Sequence, residues 1–215
     1  RDIGGAQQRE PEVQRDERNA DGRMRLARRL SERFRANPAN IPLAELRAKA
    51  VPEWTAQEMD VSDEWLNSLQ QEPTLWLRAK RGLSETLLRH LPGMEQRDAL
   101  PDALVYAGET DLFKTPEFHA GEFEIQDIAS QAVGWLCAPK PGETWWDTCA
   151  GEGGKLLHLS DLMQNKGLIW ASDRAAWRLQ KLKRRTARAK AFNYRAELWD
   201  GGAKLPTKTR PHIRP

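Results

Sequence analysis

The stretch Thr144-Trp-Trp-Asp-Thr-Cys-Ala-Gly-Glu-Gly-Gly-Lys155 decides the fold. A strand-like run, Thr144 to Cys149, leads into a Gly-rich turn, Ala150 to Gly154. Leu156, Leu159 and Met163 then follow at i, i+3 and i+7, one face of a helix. Further out, Gly167 stands where a helix C-cap is expected, and Leu168-Ile-Trp-Ala-Ser172 reads as a second strand ending at Asp173. Ala175, Leu179, Leu182 and Thr186 make the buried stripe of a second helix, and Phe192 to Trp199 holds a third strand. Strand, helix, strand, helix, strand is the first half of a doubly wound α/β sheet. Upstream, a helix is predicted from Gln126 to Cys137 with Ile128, Ala132, Trp135 and Leu136 on its inward face, ended by the turn Pro139-Lys-Pro-Gly142.

Before that helix the pattern changes. Thr74 to Lys80 and Ala103 to Ala107 read as strands, and Ser84 to His90 as a helix stopped by Leu91-Pro-Gly93. We therefore expect a small α/β domain over residues 40–123 and an incomplete doubly wound domain over 124–206. Residues 1–39 are highly charged, with a sparse stripe at Leu26, Leu30 and Phe34. They read as a partly disordered start running into a helix. Residues 207–215, with three prolines in the last ten positions of the chain, read as an irregular tail rather than a strand.

Composition narrows the function classes. The chain has 215 residues, 30% of them charged, with nine tryptophans to supply a core and a mean hydropathy of -0.75. No run approaches the roughly 20 apolar residues that cross a bilayer, so no membrane role is expected, and the cytoplasm is the simplest location for a monomer. Two cysteines, Cys137 and Cys149, make neither a disulfide framework nor a four-ligand zinc pattern. The net charge is only +3, but basic residues cluster in Arg1 to Arg35 and in Arg174 to Lys190. Such clusters suit RNA as partner and equally suit solvated helix faces.

The loop Asp147 to Lys155 carries the chemical signal. Glycines after a strand let the backbone approach a ligand, and the helix that follows offers free N–H groups. Asp173 lies 22 positions after Gly151, near the offset at which a carboxylate meets ribose hydroxyls. A P-loop is excluded because Cys149 and Leu156 stand where a glycine and a hydroxyl are needed. A nicotinamide dinucleotide fingerprint fails at Leu156, where its third glycine belongs. S-adenosylmethionine remains.

The run Gly121-Glu-Phe-Glu-Ile-Gln-Asp-Ile-Ala-Ser-Gln131, followed by Pro141-Gly-Glu143 and by Asp147 to Lys155, resembles the NOL/NOP/Sun family of RNA methyltransferases, which includes the bacterial RsmB type. The resemblance covers about Glu72 to Pro206 and implies a class I, Rossmann-like methyltransferase core preceded by an RNA-recognition-like domain. It assigns S-adenosylmethionine to Cys149, Ala150, Gly151, Glu152, Gly153, Gly154 and Lys155, with Asp173 on the ribose, Asp200 beside the adenine amino group and Arg178 at the cofactor end. Glu152 and Leu156 depart from the Pro or Ala and the Thr or Ser usual in the family. The reaction implied is methylation of carbon 5 of cytosine in RNA, with rRNA the expected substrate. In the family a cysteine thiolate attacks carbon 6 and a second cysteine assists release. Both belong to later motifs, which neither Cys137 nor Cys149 matches, so the chain is expected to be an inactive fragment that stops before them; the alternative is a non-catalytic module that binds RNA or cofactor. Gln126, Asp127, Ser130 and Gln131 brace the cofactor loop, meet RNA or serve as polar caps of a helix N-terminus. For RNA, Arg78 on a strand and Lys181, Arg185 and Arg188 on the basic helix are the candidate phosphate contacts, with solvated faces as the other reading. Trp145 and Trp146 are expected in the core.

Overall fold

A computed structural model of the protein describes residues 20–37, 42–97 and 100–202, and the chain divides between Pro73 and Thr74. The expected disordered start, up to residue 19, and the tail at 207–215 lie outside the described residues. The first unit is helical: α1 (Ala20–Ala36), α2 (Leu43–Ala50), α3 (Thr55–Glu58) and α4 (Asp63–Ser68). Phe34, Leu46, Val61 and Leu66 are buried, while the side chains of Leu26 and Leu30 lie outside those described. Ser62 caps α4 by accepting the Trp65 N–H at 3.1 Å, and Arg47 ties α2 to the start of α4 through the Val61 carbonyl at 2.6 Å and Asp63 at 2.8 Å. Helices of eight, four and six residues are too short to show a period, which is why only α1 was legible.

The second unit holds two sheets. β1 (Leu75–Ala79), α5 (Ser84–His90), β2 (Met94–Gln96), β3 (Ala103–Tyr106), α6 (Pro116–Ala120) and β4 (Phe123–Ile125) build an antiparallel sheet in the order β2-β3-β1-β4. Leu77, Leu87, Leu104 and Phe123 are fully enclosed in its core. Helix α7 (Ile128–Cys137) then leads to β5 (Thr144–Asp147), α8 (Gly154–Leu162), β6 (Leu168–Asp173), α9 (Ala176–Ala189) and β7 (Tyr194–Leu198). Its three strands are parallel, in the order β5-β6-β7, as the β-α-β-α-β reading requires. Leu156, Leu159, Met163, Leu179, Leu182 and Thr186 are all buried on the helix faces assigned to them.

Three expectations are corrected. The helix expected from Gln126 starts at Ile128, where Asp127 caps the Ala129 N–H at 2.8 Å, and the chain just before it is strand β4, paired to β1. The inward face of α7 is not the Ile128, Ala132, Trp135, Leu136 stripe: Leu136 is 85% exposed, while Gln131 and Gly134 are buried. Close approach to α8 explains this, since a Cβ on Gly134 would lie 2.2 Å from Nδ1 of His158. Gly167 is not the C-cap of α8, which Met163 provides; it passes against the Glu143 carbonyl. The compact units divide at 73/74, and on either side of the limit expected at 123/124 the two sheets share polar contacts. Lys80 donates to the Ala189 carbonyl at 3.1 Å, the Arg81 N–H donates to Asp161 at 3.0 Å, and Glu124 pairs with Arg185 at 2.8 Å. Among the described residues no helix is long and apolar enough to cross a membrane.

Candidate cofactor site

Parallel pairing of β5 with β6 and of β6 with β7 brings Asp147, Asp173 and the chain leading to Asp200 to one edge of the sheet, the C-terminal ends of its strands. Ligands of open α/β sheets bind outside that edge. The loop after β5 is pinned to β6 by its backbone, the Ala150 N–H donating to the Ser172 carbonyl at 2.9 Å, and closes on itself through Gly153 N–H to the Ala150 carbonyl at 2.8 Å. Gly153 adopts φ +88°, and a Cβ there would lie 2.9 Å from Cγ of the fully buried Leu182, so glycine is required. At Gly154, the first residue of α8, a Cβ would meet nothing within 4 Å. The loop is closed toward the core and open outward.

Asp173 is 6% exposed. Its Oδ2 accepts the Gly151 N–H at 2.9 Å and its Oδ1 the Ala175 N–H at 2.8 Å, so one carboxylate joins the Gly-rich loop to the start of α9. Each oxygen keeps a lone pair for a ligand. Asp147, quoted with the loop but given no role from the sequence, is a missed candidate. Its Oδ2 is buried with no hydrogen-bond partner. Burial pushes its pKa up from the usual carboxylate value, the Cys149 N–H and the Lys155 charge oppose this, and the Asp173 charge adds to it. The available signal was its place, an acid closing a strand directly before the glycines.

The other assigned residues fall in varied surroundings. Cys149 and Lys155 are exposed and Ala150 is buried. Glu152 pairs with Lys181 at 2.8 Å, and that hydrogen bond holds its carboxyl below the usual range. Arg178 is exposed, its guanidinium 5.2 Å from the centre of the Trp177 ring, and its charge adds to the lowering of the Glu152 pKa. Asp200 is exposed and accepts the Gly202 N–H at 2.8 Å; the preceding Trp199 N–H donates to the Asp173 carbonyl at 3.1 Å. Trp145 packs on the helix-side core, whereas Trp146 donates Nε1 to Ser172 Oγ at 3.0 Å and meets the Trp199 ring at 5.1 Å. No group of three or more metal-ligating side chains is present among the described residues.

Three of the four candidate RNA contacts are engaged by carboxylates of the protein itself. Arg78 is 4% exposed and donates to Gln126 at 2.8 Å and to Asp161 at 3.4 Å. Arg185 and Arg188 both turn inward onto the buried Glu124. Only Lys181 stays exposed, beside Trp177 at 5.0 Å.

Comparison with known proteins agrees with this geometry. A solved structure titled a methyltransferase homologue from Pyrococcus horikoshii superposes with a TM-score of 0.54 at 26% identity, covering 59% of this chain and 44% of that one. The chain therefore carries a mixed α/β, class I methyltransferase fold. The model of the family described as 16S rRNA methyltransferase RsmB/F matches residues 134–206. Among curated relatives, a probable ribosomal RNA small subunit methyltransferase B of Synechocystis is 36% identical over 54% of this chain and 25% of its own length. Ribosomal RNA small subunit methyltransferase B of Shewanella oneidensis is 30% identical over 71% of this chain and 37% of its own. Residues 134–206 thus match the NOL/NOP/Sun, RsmB-type, family of RNA methyltransferases, and the chain spans less than half the length of these relatives.

Proposed function

We propose that this chain supplies the S-adenosylmethionine-binding part of an enzyme that methylates carbon 5 of cytosine in RNA, with rRNA as substrate. One observation carries the reading: a buried aspartate at the end of β6 bonded to the Gly-rich loop that follows β5, with the outer side of that loop open. Asp173 accepts hydrogen bonds from the ribose hydroxyls through its remaining lone pairs, and the loop backbone from Cys149 to Lys155 lies along the methionine and ribose part. Asp147 offers its unpaired Oδ2 to a cationic group such as the methionine ammonium, which also resolves its burial. Asp200 meets the adenine amino group. When bound, the cofactor supplies an electrophilic methyl group. Cys149 and Cys137 are given no nucleophilic role, one being a loop residue and the other the end of α7.

The antiparallel sheet β2-β3-β1-β4 serves as the RNA-recognition-like part, and the exposed cations of α9, Arg178, Lys181 and Arg184 with the half-exposed Trp177, take the phosphate-contacting role that Arg185 and Arg188 cannot fill. The test is calorimetry with S-adenosylmethionine on the wild type and on Asp173→Ala. Loss of a charged acceptor from buried hydroxyls weakens binding by about 1.5 to 3 kcal/mol. An unchanged affinity would remove Asp173 from the site.

A further inference from the structure

Glu124 lies in β4 and Gln126 one residue beyond it, still on the ladder through its N–H to the Trp76 carbonyl at 3.1 Å. Residues two apart on an extended chain point to the same side. Both side chains are buried, at 4% and 6% exposure. Each reaches the glycine loop of the other sheet. Gln126 donates Nε2 to the Gly154 carbonyl at 3.4 Å, while its Oε1 is held by Arg78 Nε at 2.8 Å. Glu124 works through an arginine: its Oε2 accepts one nitrogen of Arg185 at 2.8 Å, and the other nitrogen of that guanidinium donates to the Glu152 carbonyl at 3.3 Å.

The two carbonyls so gripped flank Gly153, the residue whose left-handed backbone turns the loop into α8. A peptide is planar, so fixing the Glu152 oxygen also aims the Gly153 N–H, and fixing the Gly154 oxygen aims the N–H of Lys155 at the open first turn of α8. Arg188 provides the contrast. It too pairs with Glu124, from one turn further along α9, but its guanidinium lies over the Phe118 ring at 3.6 Å and makes no hydrogen bond to the loop. Glu124 thus holds one arginine that touches the loop and one that does not.

We infer that Glu124 and Arg185, together with Gln126, are positioning residues that brace the cofactor loop at two points from the antiparallel sheet. The inference rests on reading that loop as the S-adenosylmethionine site. Both loop bonds are long, so the expected effect is moderate. In the full chain, Arg185→Lys keeps a cation for Glu124 but cannot span both oxygens. It lowers S-adenosylmethionine affinity by about threefold to tenfold and speeds amide exchange across residues 150–155, as does Gln126→Met, which removes the other arm. Arg188→Lys leaves loop exchange and affinity at wild-type values even if it lowers the melting temperature as much. Wild-type loop exchange in both Arg185→Lys and Gln126→Met overturns the brace, and so does equal loosening in Arg188→Lys, which would reveal a general packing role. Absence of S-adenosylmethionine binding in the wild type defeats the cofactor reading, while the exchange comparison still decides the brace.

Discussion

Replacing His158 by leucine should remove a built-in sensitivity to mild acid. His158 is 2% exposed in α8, its Nδ1 lies against Gly134 without a partner, and the Trp135 ring meets it edge-on at 5.8 Å. Burial first and the Arg78 charge second push its pKa from 6.5 to about 3. In the unfolded chain the imidazole returns to the ordinary value, so between pH about 3 and 6.5 the unfolded state binds the extra proton. The sign follows: the neutral form's contribution to stability is complete above pH 6.5 and is lost progressively as pH falls toward about 3. From about pH 7 to about pH 5, linkage gives a loss of about 2 kcal/mol from this one group. Urea unfolding of the wild type and His158→Leu at both pH values measures it. The carboxylates are common to both proteins and cancel in the comparison, including Asp147, whose raised pKa acts in the opposite sense. The wild type should lose about 2 kcal/mol more than the variant. Equal losses would show that the folded protein accommodates the imidazolium, and the burial argument would fail.

Gly153→Ala forces a Cβ onto a left-handed backbone and against Leu182, and should cost about 1 to 3 kcal/mol in urea unfolding. Gly154→Ala should stay within about 0.5 kcal/mol of wild type in the same assay, since its Cβ meets open space. It should nonetheless weaken S-adenosylmethionine by about tenfold or more if the ligand approaches the backbone there, and a wild-type affinity would refute that approach. RNA affinity measured by filter binding should fall steeply between about 50 and 200 mM salt, and Arg184→Ala should reduce the salt slope by about 1. A flat dependence would leave the exposed face of α9 as solvated surface.

The parallel half of the fold was legible because its helices carry clean stripes: Leu156, Leu159 and Met163, then Leu179, Leu182 and Thr186. Strand β4, three residues inside a segment dominated by polar side chains, offered no such pattern and is defined by pairing with β1. Helix α7 was assigned the wrong face because its closest contact is made by a glycine, which hydrophobic periodicity does not weigh. Arg78 illustrates a more general limit. Alternation along β1 says which residues share a face, but not that α8 supplies an aspartate to cover that face. Arg185 and Arg188 were misread for the same reason, their partner Glu124 lying more than sixty positions earlier. Asp173 could be singled out as a candidate because the glycine-to-acid offset is local to one β-α-β unit, whereas Asp147 stands out only through its unpaired oxygen.

The meeting of Trp146 with Trp199 has an optical consequence. Trp146 lies in β5 and Trp199 just after β7, strands that are not neighbours, and their rings meet across β6, where Ser172 holds one indole by its N–H. Two indoles 5.1 Å apart, at a 46° tilt, form a coupled chromophore pair with a chiral signal of its own in circular dichroism. One lies next to Asp147 and the other next to Asp200, so the pair spans the ligand edge of the sheet. A splaying of the outer strands by a fraction of a ring width would change that signal, giving the protein an intrinsic gauge of the opening of its own site.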